Sequence, residues 1–260
     1  MTKFSEAMLA KISHNDQMFK VNLDKPLDIS IPLHPNKNCV NAFFAPMPEA
    51  EPVRAGDFVG STQEGGPVNF YNVHINPHGN GTHTECVGHI AKEFYSINEN
   101  LKKFFALAKL ISIKPVEMSN GDLMITTSQL TKALKDSDAE ALIVRTLPND
   151  RLKLVAKYSG KNPPYFEPEA LAYLAEENIQ HLLVDLPSVD KEEDGGALAA
   201  HKAFWQYPFY TRKSATITEL IYVPDSISDG NYLLNLQICP LELDASPSKP
   251  VLYKIIGDGV

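Results

Sequence analysis

Apolar residues recur along this chain with two different periods, and the switching between them predicts a mixture of helices and strands. Phe4, Met8 and Ile12 stand at helical spacing and predict a first helix. VNLDKPLDISIPLHP then reads as extended chain interrupted by prolines, and residues 38–67 form a long irregular stretch containing Phe43, Phe44 and Met47. A stretch of that length is more often a functional loop than a linker. PVNFYNVHINP alternates as a strand does, while FFALAKLISIKPV and ALIVRTL are runs rich in apolar and β-branched residues bounded by turn residues. Between those two, TTSQLTKALKD has helical spacing after a Thr/Ser start. FEPEALAYLAEENI predicts an amphipathic helix, with Pro168 near its first turn and Leu171, Leu174 and Ala175 on one face. HLLVDLP follows as a buried strand; SATITELIYVPDSI fits a strand or a helix; NYLLNLQICPLELD and KPVLYKII close the sheet. With no repeat and no break in composition, residues 1–260 are expected to form one α/β domain on a mixed sheet.

Composition narrows the function more than the fold. The formal charge is −8, so the chain shows no electrostatic footprint for nucleic acid or an anionic membrane. Three cysteines, Cys39, Cys86 and Cys239, with no CxxC pair fit a reducing compartment better than a disulfide scaffold. Neither a signal-peptide pattern nor a membrane-length apolar span stands out, and a cytoplasmic enzyme with a small-molecule substrate is the expectation.

The chemistry concentrates in NPHGNGTHTECVGHI, residues 76–90, with three histidines, a glutamate and a cysteine. If residues 83–89 run extended, His83, Glu85, Val87 and His89 share one face, spaced about 7 Å apart at each step of two. Gly79 and Gly81 allow a tight turn that folds His78 back toward His83. Imidazole and carboxylate together suit zinc, manganese or iron rather than calcium. A lone buried histidine usually only hydrogen-bonds to backbone. On spacing alone, a metal or catalytic role and a structural one stand level. Cys86 falls on the opposite face and reads as a small buried apolar residue.

GTHTECVGH resembles the signature His-x-Gly-Thr-His-x-Asp-x-Pro-x-His of the cyclase family, which includes bacterial kynurenine formamidases and isatin hydrolases. Gly81, Thr82, His83 and His89 fall in register with it. Glu85 stands where the family has Asp, Val87 where it has Pro, and Gly79 where it has the first histidine. LDISIPL, the ALIVRTL and YFEPEALAYLAEENIQHLLVDLPSVD segments, and ICPLELDASPSKPVLYKI extend the similarity along nearly the whole chain. The resemblance implies a swivelling β/β/α architecture, a homodimer or higher homo-oligomer, and one or two divalent ions, Zn²⁺ or Mn²⁺. It implies hydrolysis of a small amide, ester or lactone by metal-activated water.

Carried over residue by residue, His83 and Glu85 hold one ion, with His78 rather than His74 supplying the missing imidazole through a one-residue insertion. Glu85 and Glu219 reach a second ion bound by His201, and His89 is the general acid/base. The segment FWQYPFYTRKS lengthens the family's spacing between His201 and Glu219, and its aromatics are expected near the site. Phe43, Phe44 and Trp205 are the expected contacts for a flat substrate such as N-formylkynurenine. The acidic run Asp190 to Asp194 reads as a solvated turn. The competing expectations are a hydrolase acting on another ring or ester, of isatin or lactone type, and a metal-free binding protein that kept the fold.

Overall fold

The computed structural model describes residues 7–15, 17–135 and 137–258. Its centre is a mixed sheet whose strands follow one another in space as Ala245–Asp258, Gly230–Ile238, Phe105–Ile113, Ala141–Thr146, His181–Val184, Thr216–Glu219 and His83–Glu85. The last of these also pairs with residues 245–247 of the first, which closes seven strands into a barrel. Phe105–Ile113, Ala141–Thr146, His181–Val184 and Thr216–Glu219 run parallel, and the remaining neighbours are antiparallel. Mixed pairing follows from the connections. Crossovers that include the helices Thr127–Leu134, Pro168–Glu176 and Ala199–Trp205 join parallel strands, as parallel pairing requires.

Those helices cover one face of the sheet. Leu142, Val144, Leu182, Val184 and Ile217 pack with Leu130, Leu171, Leu174, Phe204 and Trp205 in one core cluster. The alternate residues Ala141, Ile143 and Leu183 join Leu110, Ile221, Leu234 and Leu252 in a second cluster. Both faces of the strand Ala141–Thr146 are therefore covered, which is why ALIVRT reads as a continuous apolar run instead of alternating. The helix Thr127–Leu134 starts at a capping box between Thr126 and Gln129, and Pro168 opens the helix Pro168–Glu176. SATITELIYVPDSI, open from sequence, contains the strand Thr216–Glu219.

The expected first helix is absent from the described residues. Leu9–His14 and Gln17–Asn22 form an antiparallel hairpin, and Val21 pairs with Ile255 to add it to the sheet. Phe4 lies outside the described residues. A spacing of four satisfies a strand as well as a helix, because four is a multiple of the strand period of two. That ambiguity explains the error. No helix among the described residues is long and apolar enough to cross a membrane. Cys39, Cys86 and Cys239 are free thiols, with Cys86 buried in the second core cluster as expected.

His181, at the start of its strand, is buried, and its Nδ1 lies 2.9 Å from the Thr216 hydroxyl. Burial, with Lys103 and Arg212 adding to it, depresses the imidazole from 6.5 to about 4. Between those two values the unfolded chain holds a proton that the native protein excludes, so stability falls as pH drops through this window. The His181 contribution amounts to about 3 kcal/mol at most. Unfolding free energies of wild type and His181→Gln from urea titration should converge by up to that amount between pH 6.5 and 4. Curves that stay parallel would show that His181 is not held neutral.

Candidate metal centre

The shortest strand of the barrel carries the densest chemistry. In His83–Glu85, flanked by Thr216–Glu219 and residues 245–247, His83 lies directly opposite Glu219, and Glu85 opposite Ile217 and Ala245. Directly opposed residues on antiparallel strands project to the same face, as do His83 and Glu85 two residues apart. Three functional side chains thereby point to one place, on the helix-covered face that Ile217 shares. Thr84 points the other way and meets the Thr218 hydroxyl at 2.8 Å, which pins the register from behind.

The extended reading of residues 83–89 ends early. The strand stops at Glu85 and the chain turns through a 3-10 helix at Val87–His89, which sends Val87 into the core. The same turn brings His89 back, with Nδ1 3.7 Å from Glu85 Oε2 and its ring 4.4 Å from that of His78. His89 thus stands within the cluster instead of farther along a strand.

His78 enters from a helical turn, Pro77–Asn80, capped by the Asn76 side chain, which accepts from the Gly79 amide at 2.9 Å. This turn is fixed. Asn80 is buried, accepting from the Asn76 amide and donating to the Pro46 carbonyl. The Gly79–Gly81 stretch, expected to allow a tight turn, is a packed turn with no left-handed residue. Gly79 is needed for space: a Cβ there would lie 2.4 Å from Ala45 Cβ. No histidine fits at position 79, and His78 takes its place beside His83 at 5.1 Å between ring centres. His74, on the exposed strand Tyr71–His74, stays outside the cluster.

His201, on the helix Ala199–Trp205, reaches in from above, with Nε2 3.1 Å from Glu85 Oε1 and 3.8 Å from Glu219 Oε1. Its Nδ1 donates to Asp190 at 2.6 Å, and Asp190 also accepts from the Ala200 and His201 amides. Asp190 is buried, so the acidic run is not wholly a solvated turn. Asp244 is the second residue that the sequence did not single out. Its carboxylate accepts from His78 Nε2 at 2.9 Å and lies 3.4 Å from His89 Nδ1. Proximity in space was the only signal for Asp244, whereas Asp190 was present in the acidic run but indistinguishable from its neighbours.

Two buried atoms define what the cluster lacks. His83 Nδ1 lies 3.0 Å from the Gly81 carbonyl and so carries the ring proton, which leaves a lone pair on Nε2. That Nε2 and Glu85 Oε2 are buried with no hydrogen-bond partner, and Glu219 Oε2 stands 3.4 Å from the imidazole lone pair. Acceptors facing acceptors in a dry site repel each other unless a cation lies between them. Donor atoms of His78, His83 and Glu85 fall within 4.8 Å of one another, as do those of Glu85, His89 and His201. The arrangement fits a divalent metal; Glu85 belongs to two such groups, and His78, His89 and Asp244 form a third.

The surrounding charges respond in the expected direction. Burial opposes charge on His78, yet the carboxylates of Asp244 and Glu85 raise it to about 10. Burial likewise opposes charge on His201, but Asp190 and Glu85 raise it to about 10. Against its own burial, Glu85 is held well below the ordinary carboxylate range by the imidazoles of His89, His201 and His78 that surround it.

A cavity of about 540 Å³ opens over the cluster, lined by Phe43, Phe44, His78, His89, His201 and Glu219 among others. Phe43 and Phe44 both adopt left-handed backbone angles, φ 56 and 52, which bulky residues rarely do. The Phe44 amide donates to the Ser159 hydroxyl, and the Ala42 amide donates to the Gly79 carbonyl. The aromatic loop is therefore tied to the turn that carries His78. Trp205 corrects the sequence expectation. It is fully buried, donates its indole N–H to the Ala215 carbonyl, and packs behind His201 at 5.5 Å between ring centres. It supports that imidazole and does not touch the cavity. Phe209 and Tyr210 project into solvent and do not line the cavity either.

A barrel with this histidine and carboxylate cluster belongs to a defined group of proteins. Residues 27–191 match the family described as Putative cyclase, more than half of the chain, and the chain belongs to that family. The matched span includes His78, His83, Glu85, His89 and Asp190 and stops before His201, Glu219 and Asp244. Kynurenine formamidase of Bacillus cereus is 24% identical over 197 residues, covering 75% of this chain and 85% of the relative. The enzyme of that name from Bacillus anthracis is 24% identical over 233 residues, covering 89% and 98%. Among solved structures, isatin hydrolase A from Labrenzia aggregata, bound to benzyl benzoate, superposes with a TM-score of 0.63 at 16% identity. That match covers 89% of this chain and 94% of the other. A potential metal-dependent hydrolase with cyclase activity gives 0.59 at 16% identity, covering 88% and 98%. At these identities the structural likeness establishes a shared fold.

Gly79→Ala tests the packing that places His78. The added methyl must displace the Ala45 segment, and overpacking of this kind costs about 1–3 kcal/mol. A urea midpoint unchanged from wild type would mean that the turn and the 42–45 loop do not approach so closely.

Proposed function

We propose that this protein is a metal-dependent hydrolase of a small amide, ester or lactone, and most specifically an arylformamidase acting on N-formylkynurenine-like substrates. One observation carries the reading: the lone pair of His83 and one carboxylate oxygen of Glu85, Oε2, are buried without hydrogen-bond partners beneath a small-molecule cavity. The kynurenine formamidase relatives support the substrate class. His78, His83 and Glu85 would hold one ion, and Glu85, His201 and Glu219 a second. A divalent ion there, Zn²⁺ or Mn²⁺ by its donor set, supplies the Lewis acidity that polarises a carbonyl and activates water near neutral pH.

The chain's own residues do the rest. Asp190 holds His201 with Nδ1 outward and Nε2 toward Glu85. His89 lines the cavity and is partly exposed, so it can exchange protons with a bound substrate. In formamide hydrolysis water adds to the formyl carbon, the C–N bond breaks, and the leaving nitrogen acquires a proton. His89 accepts the proton from water and delivers it to that nitrogen, releasing amine and formate. Phe43 and Phe44 line the cavity, where the flat ring of an aryl formamide can pack against them.

Protein purified without chelator should contain a divalent metal by elemental analysis and hydrolyse an N-formylated aromatic amine in a panel that includes isatin and simple lactones. Activity confined to isatin or a lactone would keep the hydrolase and replace the substrate. Metal-free protein that cannot be reconstituted would leave a binding protein as the better reading. His89→Ala should keep its metal nearly unchanged and lose about 10²–10⁴-fold in turnover. If that variant loses metal instead, His89 is a ligand. His78→Ala should weaken metal binding far more than His74→Ala, and equal affinities would remove His78 from the ligand set.

A further inference from the structure

We propose that Asp244 is a positioning residue that fixes the ring of His78 with Nδ1 facing the metal site, and so compensates for glycine at position 79. The inference rests on the metal-centre reading above. A histidine supplied from one residue earlier in the chain approaches from a different direction, and something must choose which ring nitrogen faces inward. His78 has Nε2 2.9 Å from Asp244 Oδ2 and Nδ1 3.3 Å from Glu85 Oε2. An ionised carboxylate only accepts hydrogen bonds, so Nε2 carries the proton when His78 is neutral and the lone pair sits on Nδ1, beside Glu85 and His83.

Asp244 is itself anchored to the strand it serves. Its carbonyl accepts from the Cys86 amide at 3.0 Å, and the next residue, Ala245, pairs with Glu85. Gly88 leaves room for it, since a Cβ there would lie 3.2 Å from Asp244 Cβ. The opposite wall of the site repeats the device with the ring reversed. Asp190 takes Nδ1 of His201 and leaves Nε2 inward, whereas Asp244 takes Nε2 of His78 and leaves Nδ1 inward. A carboxylate behind each imidazole thus presents a single lone pair from either side.

Zn²⁺ affinity of the full-length protein, measured by competition with a chromogenic chelator, tests the proposal without reference to activity. Asp244→Leu should weaken Zn²⁺ binding by roughly 10–100-fold. Asp244→Asn keeps an acceptor oxygen and should stay within a few-fold of wild type, with an unchanged Co²⁺ absorption spectrum. In a His78→Ala background Asp244→Leu should have no further effect, while in a His89→Ala background its effect should persist. Asp244→Ser, too short to reach the ring, replaces the leucine variant if that one does not fold. Additive losses of His78 and Asp244, or an Asn variant as weak as Leu, would overturn the proposal and make Asp244 a direct ligand or a charge effect. Wild type that binds no divalent metal would overturn the metal-centre reading as well. Tight wild-type binding that Asp244 variants leave untouched would overturn this inference alone.

Discussion

The structure depends on one short antiparallel pairing. Three residues, His83 to Glu85, sit between Thr216–Glu219 and the start of Ala245–Asp258 and close the barrel. The same residues carry two members of the cluster, and Glu219 is supplied by the neighbour across the ladder. Because side chains alternate, a slip of one residue would turn His83 and Glu85 away from His201 and put Thr84 in their place. Closure and chemistry are therefore one constraint. The Thr84–Thr218 contact on the reverse face resists the slip without using any group of the site.

That geometry concentrates charge in a dry place. Glu85 is wholly buried, Glu219 and Asp190 nearly so, and each faces imidazole. Buried carboxylates are costly unless paired, and here the pairs are arranged around buried acceptor atoms that still lack a partner. A cation placed between them would resolve that conflict. The folded chain thus carries a local electrostatic deficit that its core packing tolerates, while the barrel walls around it remain conventionally apolar. Gly79 couples this deficit to the cavity, since the turn bearing His78 and the loop bearing Phe43 and Phe44 meet at a position where no side chain fits.

Much of the scaffold was legible because it obeys local rules. Continuous apolar runs became the parallel strands, and amphipathic segments with a Thr or Pro start became the covering helices. The failures have local causes too. Met8 and Ile12 sit in a segment whose spacing of four fits both periods, and nothing in the hairpin sequence separates them. Residues 83–89 were expected to be a single strand, because a 3-10 turn of three residues leaves no periodic trace. Trp205 was expected at the cavity because it is aromatic and follows His201, yet a position four residues along a helix places it behind that imidazole.

By itself the sequence determined which residue types would do the chemistry: the Gly81-Thr82-His83 motif, Glu85 and His89 within one short segment, and His201 and Glu219 by resemblance. Spacing along a strand or turn is a local property, and local order along the chain records it. Only the tertiary structure decided that position 79 has no room for a side chain, that His89 turns back into the cluster, and that Asp190 and Asp244 stand behind His201 and His78. These depend on contacts between residues as far apart as His78 and Asp244, which barrel closure brings together and no periodicity encodes.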